Sequence, residues 1–152
     1  MRLSLAIAAV VLSTAVLASC SEPMGPADET ARLERHRRLW AAQGANSYRM
    51  TVRLHGAWTG GAAVIEVRGG VPVAISPLHH PNGPVAPETF RHHDTVEELF
   101  AVVQFALEQE AERLEVKYSS RFGVPSFVDV DLRSTWADDE HGFSVEDFRI
   151  LK

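Results

Sequence analysis

Between Tyr48 and His55 the sequence alternates without a break. Tyr48, Met50, Val52 and Leu54 point one way, and Arg49, Thr51, Arg53 and His55 point the other. A period of two over this length makes a strand with one buried and one wet face, and it excludes a helix there. Further on the period changes. Val96, Leu99, Phe100, Val103, Ala106 and Leu107 recur at steps of three and four, the apolar stripe of a helix lying on a core. Asp94 and Glu97 stand in capping-box positions, so the spacing predicts a helix from Asp94 to about Glu112.

The other segments arrange themselves around these two. Ala62 to Arg68 reads as a second strand burying Ala63, Ile65 and Val67, and Gly69-Gly70 as a tight turn. Val71 to Ile75 is a third strand, which Pro72 confines to a sheet edge because proline cannot donate to a ladder. Pro77 to Thr89 is rich in proline and lacks any period, so it reads as a long loop. Upstream, Asp28 can cap a helix from Glu29 to about Ala42, with Gly44 past its end. Its thin stripe (Ala31, Leu33, Leu39, Trp40) predicts a surface helix pinned by Trp40. Downstream, Leu114, Val116 and Tyr118 alternate, then Val128, Val130 and Leu132, with a turn at Arg121-Phe122-Gly123. The last strand, Phe143 to Ile150, switches parity between Val145 and Phe148, which predicts a bulge near Glu146-Asp147. The order is α-βββ-α-βββ. It predicts an α+β fold, an antiparallel sheet with helices on one face.

The chain has 152 residues, enough for one domain. Its formal charge of −5 argues against a nucleic-acid partner, which calls for a basic face. A single cysteine excludes an internal disulfide framework and a Cys-rich zinc site.

That cysteine has a particular setting. After Met1-Arg2 comes an uncharged run from Leu3 to Ala18, and then Ser19-Cys20. The run is too short to span a bilayer, which takes about 20 apolar residues, and has the length of a signal-peptide core. Leu17-Ala18-Ser19-Cys20 resembles the bacterial lipobox. The resemblance implies that residues 1–19 are removed and that Cys20 carries acyl chains on its sulfur and its freed amine. One acyl chain holds a protein only marginally, whereas several hold it durably, so the expected partner is the lipid bilayer. Losing Arg2 leaves 14 basic against 20 acidic residues, a charge of −6. Attachment is then hydrophobic and insensitive to salt. Ser21, where an aspartate would resemble an inner-membrane retention signal, implies an outer-membrane, periplasm-facing site in a Gram-negative cell. The expected organisation is a signal peptide over 1–19, a flexible tether over 20–27 and one α+β domain over 28–152.

A second resemblance covers most of the mature chain. Tyr118-Ser-Ser-Arg-Phe-Gly-Val-Pro-Ser-Phe-Val-Asp-Val-Asp131, followed by Ala137-Asp-Asp-Glu140 and Phe143-Ser-Val145, resembles an uncharacterised domain family of bacterial secreted proteins and lipoproteins. Trp40, Asn46-Ser-Tyr-Arg49 and Thr95-Val-Glu-Glu-Leu-Phe100 match its other features. Many members carry two cysteines after the first strand, where this chain has His55-Gly56-Ala57-Trp58. The resemblance implies architecture and export and supplies no activity.

Four sets of residues suit chemistry. Asp129 and Asp131 share one strand face about 7 Å apart. With Asp138, Asp139 and Glu140 close in sequence they form an oxygen set suited to a divalent cation such as Ca²⁺, though without EF-hand spacing. The plainer reading is a solvated face and an Asp-rich turn. Histidines at 55, 79, 80, 92, 93 and 141 lack any spacing that pre-arranges metal ligands. Ser119, Ser120 and Ser126 sit in no nucleophile motif, and the zinc-protease, P-loop and dinucleotide signatures are missing from the sequence. Trp58, Phe127 and Trp136 fall on loops or on the outward phase of a strand and suit either an interaction patch or a second sheet face covered by the Pro77–Thr89 loop.

The function expected from these features is a lipid-anchored cell-envelope domain that is non-catalytic, without a resident cofactor, and binds a protein or small ligand or plays a structural role. The alternatives are a divalent-cation domain on the Asp129/Asp131/Asp138–Glu140 surface and, third, an envelope hydrolase using the same carboxylates.

Overall fold

The computed structural model describes residues 25–56, 60–81, 83–133 and 140–152. Helix α1 (Pro26–Ala41) leads into strands β1 (Tyr48–Gly56), β2 (Gly61–Arg68) and β3 (Val71–Pro77). A 3₁₀ turn at Pro87–Phe90 precedes helix α2 (Val96–Glu108), and β4 (Arg113–Tyr118), β5 (Pro125–Asp131) and β6 (Glu140–Ile150) complete the chain. The six strands form one sheet in the order β3-β2-β1-β6-β5-β4, and every neighbouring pair is antiparallel. Two three-stranded meanders therefore meet along β1 and β6, and α2 is the crossover between them. The α+β architecture and its element order agree with the alternation in the sequence. Among the described residues, no helix is long and apolar enough to cross a membrane.

Both helices cover one face. Tyr48, Met50, Val52 and Leu54 of β1 are buried there with Ile65 and Val67 of β2, Val128 and Val130 of β5 and Phe143 of β6. From α2 they meet Val96, Leu99, Phe100, Val103 and Ala106. Helix α1 contributes less. Its inward positions are Glu29, Leu33, His36 and Trp40, a stripe in which only Leu33 and Trp40 are apolar and fully packed. Trp40 pins the helix as expected, edge-on to Tyr48 and to Phe148 at 5.4 and 5.8 Å between ring centres.

The bulge falls where parity predicted it. Thr51 pairs with Glu146 but Arg49 pairs with Arg149, so Asp147 and Phe148 together oppose Met50. Asp147 takes the extra turn at φ 51°. The turn between β2 and β3 uses both of its glycines at positive φ, 59° for Gly69 and 80° for Gly70, as a primed hairpin turn requires. Strand β3, with Pro72, lies at the sheet edge.

The helix ends differ from the sequence reading. Helix α1 opens at Pro26, not after Asp28, and so takes in the last residues of the stretch read as a tether. Gly25 is its cap, and proline's fixed φ and missing N–H suit the opening position. Asp28 and Glu29 then lie in the first turn, where the positive helix end favours carboxylates. Helix α2 is capped by Thr95, whose hydroxyl accepts the Glu98 N–H at 3.1 Å, one position beyond the Asp94/Glu97 pair. It stops at Glu108 rather than Glu112. Glu110 adopts φ 51°, the Glu110 N–H bonds Leu107 O and the Ala111 N–H bonds Ala106 O, which together close a Schellman motif. The segment read as a loop from Pro77 to Thr89 is shorter at both ends, because β3 runs to Pro77 and the 3₁₀ turn starts at Pro87.

Candidate functional site

Two surfaces carry chemistry. The first is the sheet face that the helices leave open, where Asp129, Asp131 and Phe127 lie by strand parity. The floor here is Gly142 of β6, paired on one side with Asp129 and on the other with His55. A β-carbon on Gly142 would lie 2.4 Å from His55 Nε2 and 2.2 Å from Val128 O, so only glycine fits. The imidazole lies across this gap. It stacks on Phe127 at 5.5 Å, and its Nε2 is buried, without a hydrogen-bond partner, 3.9 Å from Asp129 Oδ1. Arg113 reaches over from β4 and places Nη1 2.8 Å from Asp129 Oδ2. On the far side of Phe127, Lys117 Nζ stands 4.9 Å from the ring centre.

Asp129 is thus engaged by a guanidinium, and a divalent cation would have to displace it. Asp131 shares the face and is 9% exposed. Asp138 and Asp139 lie outside the described residues, as do Trp58 and Trp136, and nothing is described of the Glu140 side chain; Phe127 is the described member of the aromatic set. Among the described residues no three His, Cys, Asp or Glu side chains gather closely enough to hold a metal ion. The histidines disperse. His93 lies edge-on to Phe143 at the margin of the core, His55 is on the open face, and His80 is beside Gly60. The serine hydroxyls serve the local backbone: Ser119 accepts the Phe122 N–H, and Ser126 donates to Lys117 O.

The second surface was not singled out in the sequence. It is a cleft of about 700 Å³ between the start of α1, the C-terminal end of α2 and edge strand β4. That size falls within the ordinary range of small-molecule sites. Its floor is apolar, formed by Ala106, Leu107, Ala111 and Leu114. Glu110, Glu112 and Glu115 line its mouth. On the α1 side Glu29 is 7% exposed. It accepts the Tyr118 hydroxyl at 3.0 Å and pairs with Arg32, whose other nitrogen donates to Val116 O. Burial, and then the Glu29 charge, push the Tyr118 hydroxyl well above its ordinary range. Tyr118 stacks on His36 at 4.1 Å and 3°. Burial holds the His36 imidazole below its usual value, and Arg35 and Arg32 act the same way. The ring is therefore favoured as a neutral plate. The local sequence signal was the acid-rich run from Glu108 to Glu115, but its apolar floor and the α1 wall come together only in three dimensions.

Neither the curated proteins nor the solved structures include a match to the chain. The model of a family of unknown function, DUF6174, matches residues 32–150, from within α1 to the last residue of β6, and the chain belongs to that family.

Proposed function

We propose that the protein is a lipid-anchored domain of the bacterial cell envelope, held through Cys20, that binds a partner or ligand rather than transforming one. The observation that carries this is Leu17-Ala18-Ser19-Cys20 at the end of an uncharged run that follows Arg2, with the chain's one thiol at the acceptor position. Three acyl chains of the kind this pattern directs, at ~0.8 kcal/mol per buried methylene, make attachment durable. Ser21 favours the outer membrane of a Gram-negative host, facing the periplasm. The binding half of the reading is supported by the preformed cleft and by an open sheet face laced with ion pairs: Arg53 with Glu146, Arg68 with Glu66, and Arg113 with Asp129.

Intact-mass measurement on protein from the native host tests the anchor. The expected mass lacks residues 1–19 and carries acyl chains on Cys20, and Cys20→Ala abolishes both changes. A retained leader or a bare thiol at position 20 overturns the reading.

A further inference from the structure

We infer that the outer ridge of α1 is the face the domain turns to the bilayer, with Arg35, Arg38 and Arg121 docked on the phosphates of anionic lipids. The inference rests on the lipid anchor proposed above and adds an orientation to it.

Two observations name the occupant. The first is where the chain leaves the domain. Gly25, the cap of α1, stands five positions after Cys20, and an extended chain of that length spans at most about 18 Å. An acylated Cys20 therefore keeps the start of α1 close to the lipid headgroups, and the helix, about 24 Å long, can lie along them. The second observation is charge. With Glu29, Leu33, His36 and Trp40 turned inward, Arg35 and Arg38 fall on the outer side of the helix, and both are exposed. Among the described residues no carboxylate pairs with either, whereas Arg32 is held by Glu29 and Arg37 by Glu34. Arg121, also exposed, joins them from the turn after β4. That turn packs tightly on α1, since a β-carbon on Gly123 would lie 2.6 Å from His36 O and 3.0 Å from Leu39 Cβ. Against these three cations the ridge sets Asp28, because Glu34 is already engaged. On a mature chain of charge −6, cations gathered beside the tether match a phosphate-bearing surface, and the guanidinium fork fits phosphate oxygens. The acyl chains supply attachment, which salt does not weaken, and the arginines supply orientation, which it does. Near an anionic surface each arginine favours the docked over the undocked domain by roughly fivefold.

The test places the full chain, purified from the native host, in nanodiscs of phosphatidylcholine alone or of equal parts phosphatidylcholine and phosphatidylglycerol, with a nitroxide on a few headgroups. Broadening of backbone amides maps the face nearest the lipid. In the anionic disc it should concentrate at residues 34–42 and 119–122 and spare β3. In the neutral disc, and in the anionic disc at high salt, it should be strongest at residue 25 and fade without favouring either segment. The triple variant Arg35→Gln/Arg38→Gln/Arg121→Gln, with its amide dispersion intact, should show the neutral pattern in the anionic disc, a loss on the order of a hundredfold in docked over undocked domain. The same map in both discs, broadening centred on another face, or a triple variant that keeps the wild-type map would each overturn the docking face. The intact mass of the same sample separates this from the anchor: an acylated chain with the wrong map overturns the face alone, and a bare Cys20 overturns both.

Discussion

The phenol oxygen of Tyr48, on β1, accepts the backbone N–H of Val96, the first residue of α2, at 2.9 Å and across 48 positions of sequence. Tyr48 is 1% exposed and Val96 fully buried, so the bond joins the sheet to an otherwise unsatisfied helix terminus in the dry interior. The carboxylates of Glu97 and Asp94 stand near, and with burial as the largest cause they push the Tyr48 hydroxyl far up. Tyr48→Phe keeps the ring packing and strands the Val96 N–H. The expected cost is roughly 1–3 kcal/mol, seen as a lower urea midpoint at unchanged slope. A midpoint equal to wild type would mean that water replaces the phenol.

The two candidate caps of α2 separate by mutation. Thr95→Ala removes the acceptor of the Glu98 N–H and should cost ~1 kcal/mol. Asp94 lies outside the helix, and burial, with Glu98 next, raises its carboxyl above the ordinary value. Its charge is thus unwelcome, and Asp94→Asn should leave stability unchanged or raise it slightly at pH 7. Thermal unfolding followed by circular dichroism compares the two. A larger loss in Asp94→Asn than in Thr95→Ala would place the cap where the sequence pattern first suggested.

Gly142→Ala brings a β-carbon against both Val128 O and His55 Nε2. The imidazole can turn away, but the carbonyl of β5 cannot. A loss of about 2–4 kcal/mol is expected from overpacking against backbone. His55→Ala in the same chain should recover less than half of it, as a double-mutant cycle by urea denaturation would measure. Full recovery would mean that only the ring stands in the way.

Acid should loosen the domain through His93. Burial holds this imidazole at about 4 instead of 6.5, and His92 and His141 push the same way. The unfolded chain takes up a proton that the folded one refuses. The stability at stake is fully present above pH 6.5 and is lost as pH falls toward 4, on the order of 2–3 kcal/mol after allowing for partial solvent contact. His36 adds a loss of the same sign, while the raised Asp94 works the opposite way near the bottom of the window. Urea midpoints between pH 7 and 4.5 should fall in the native chain and fall less steeply in His93→Phe. Parallel slopes would remove His93 from the account.

Strand β3 is an uncharged edge with Val71 and Val73 at 61% and 58% exposure. Exposed apolar edges invite pairing with other chains. Val73→Lys should change stability by less than about 0.5 kcal/mol and delay aggregation on heating, as light scattering would record. An unchanged onset would assign aggregation to another surface.

The strands were legible in the sequence because parity is local. Tyr48 to His55 declares its two faces without reference to any partner, and so do Val128 and Val130. Helix ends were read less well. Whether Asp94 or Thr95 caps α2 depends on which of them the fold buries, and Pro26 opens α1 although Asp28 fits the usual cap preference better. At the open face, the shared side of Asp129 and Asp131 could be read from their spacing, but Arg113 and His55, which engage Asp129, arrive from other strands. The cleft joins three distant segments, and the acidic run at its mouth looks like ordinary solvated surface until Leu114 and Ala106 are placed beneath it.

One surplus residue decides where the chain's last aromatic falls. Were Asp147 kept and β6 to run straight, with Asp147 alone opposite Met50, Phe148 would fall opposite Arg49 and emerge among the charges of the open face, and the ring stack joining Trp40, Tyr48, Phe122 and Phe148 would lose its shared member. The first helix would then keep Leu33 and the Trp40–Tyr48 contact but lose the ring that ties Trp40 to the last strand. The tie between Trp40 and the last strand depends on a deliberate miscount in that strand.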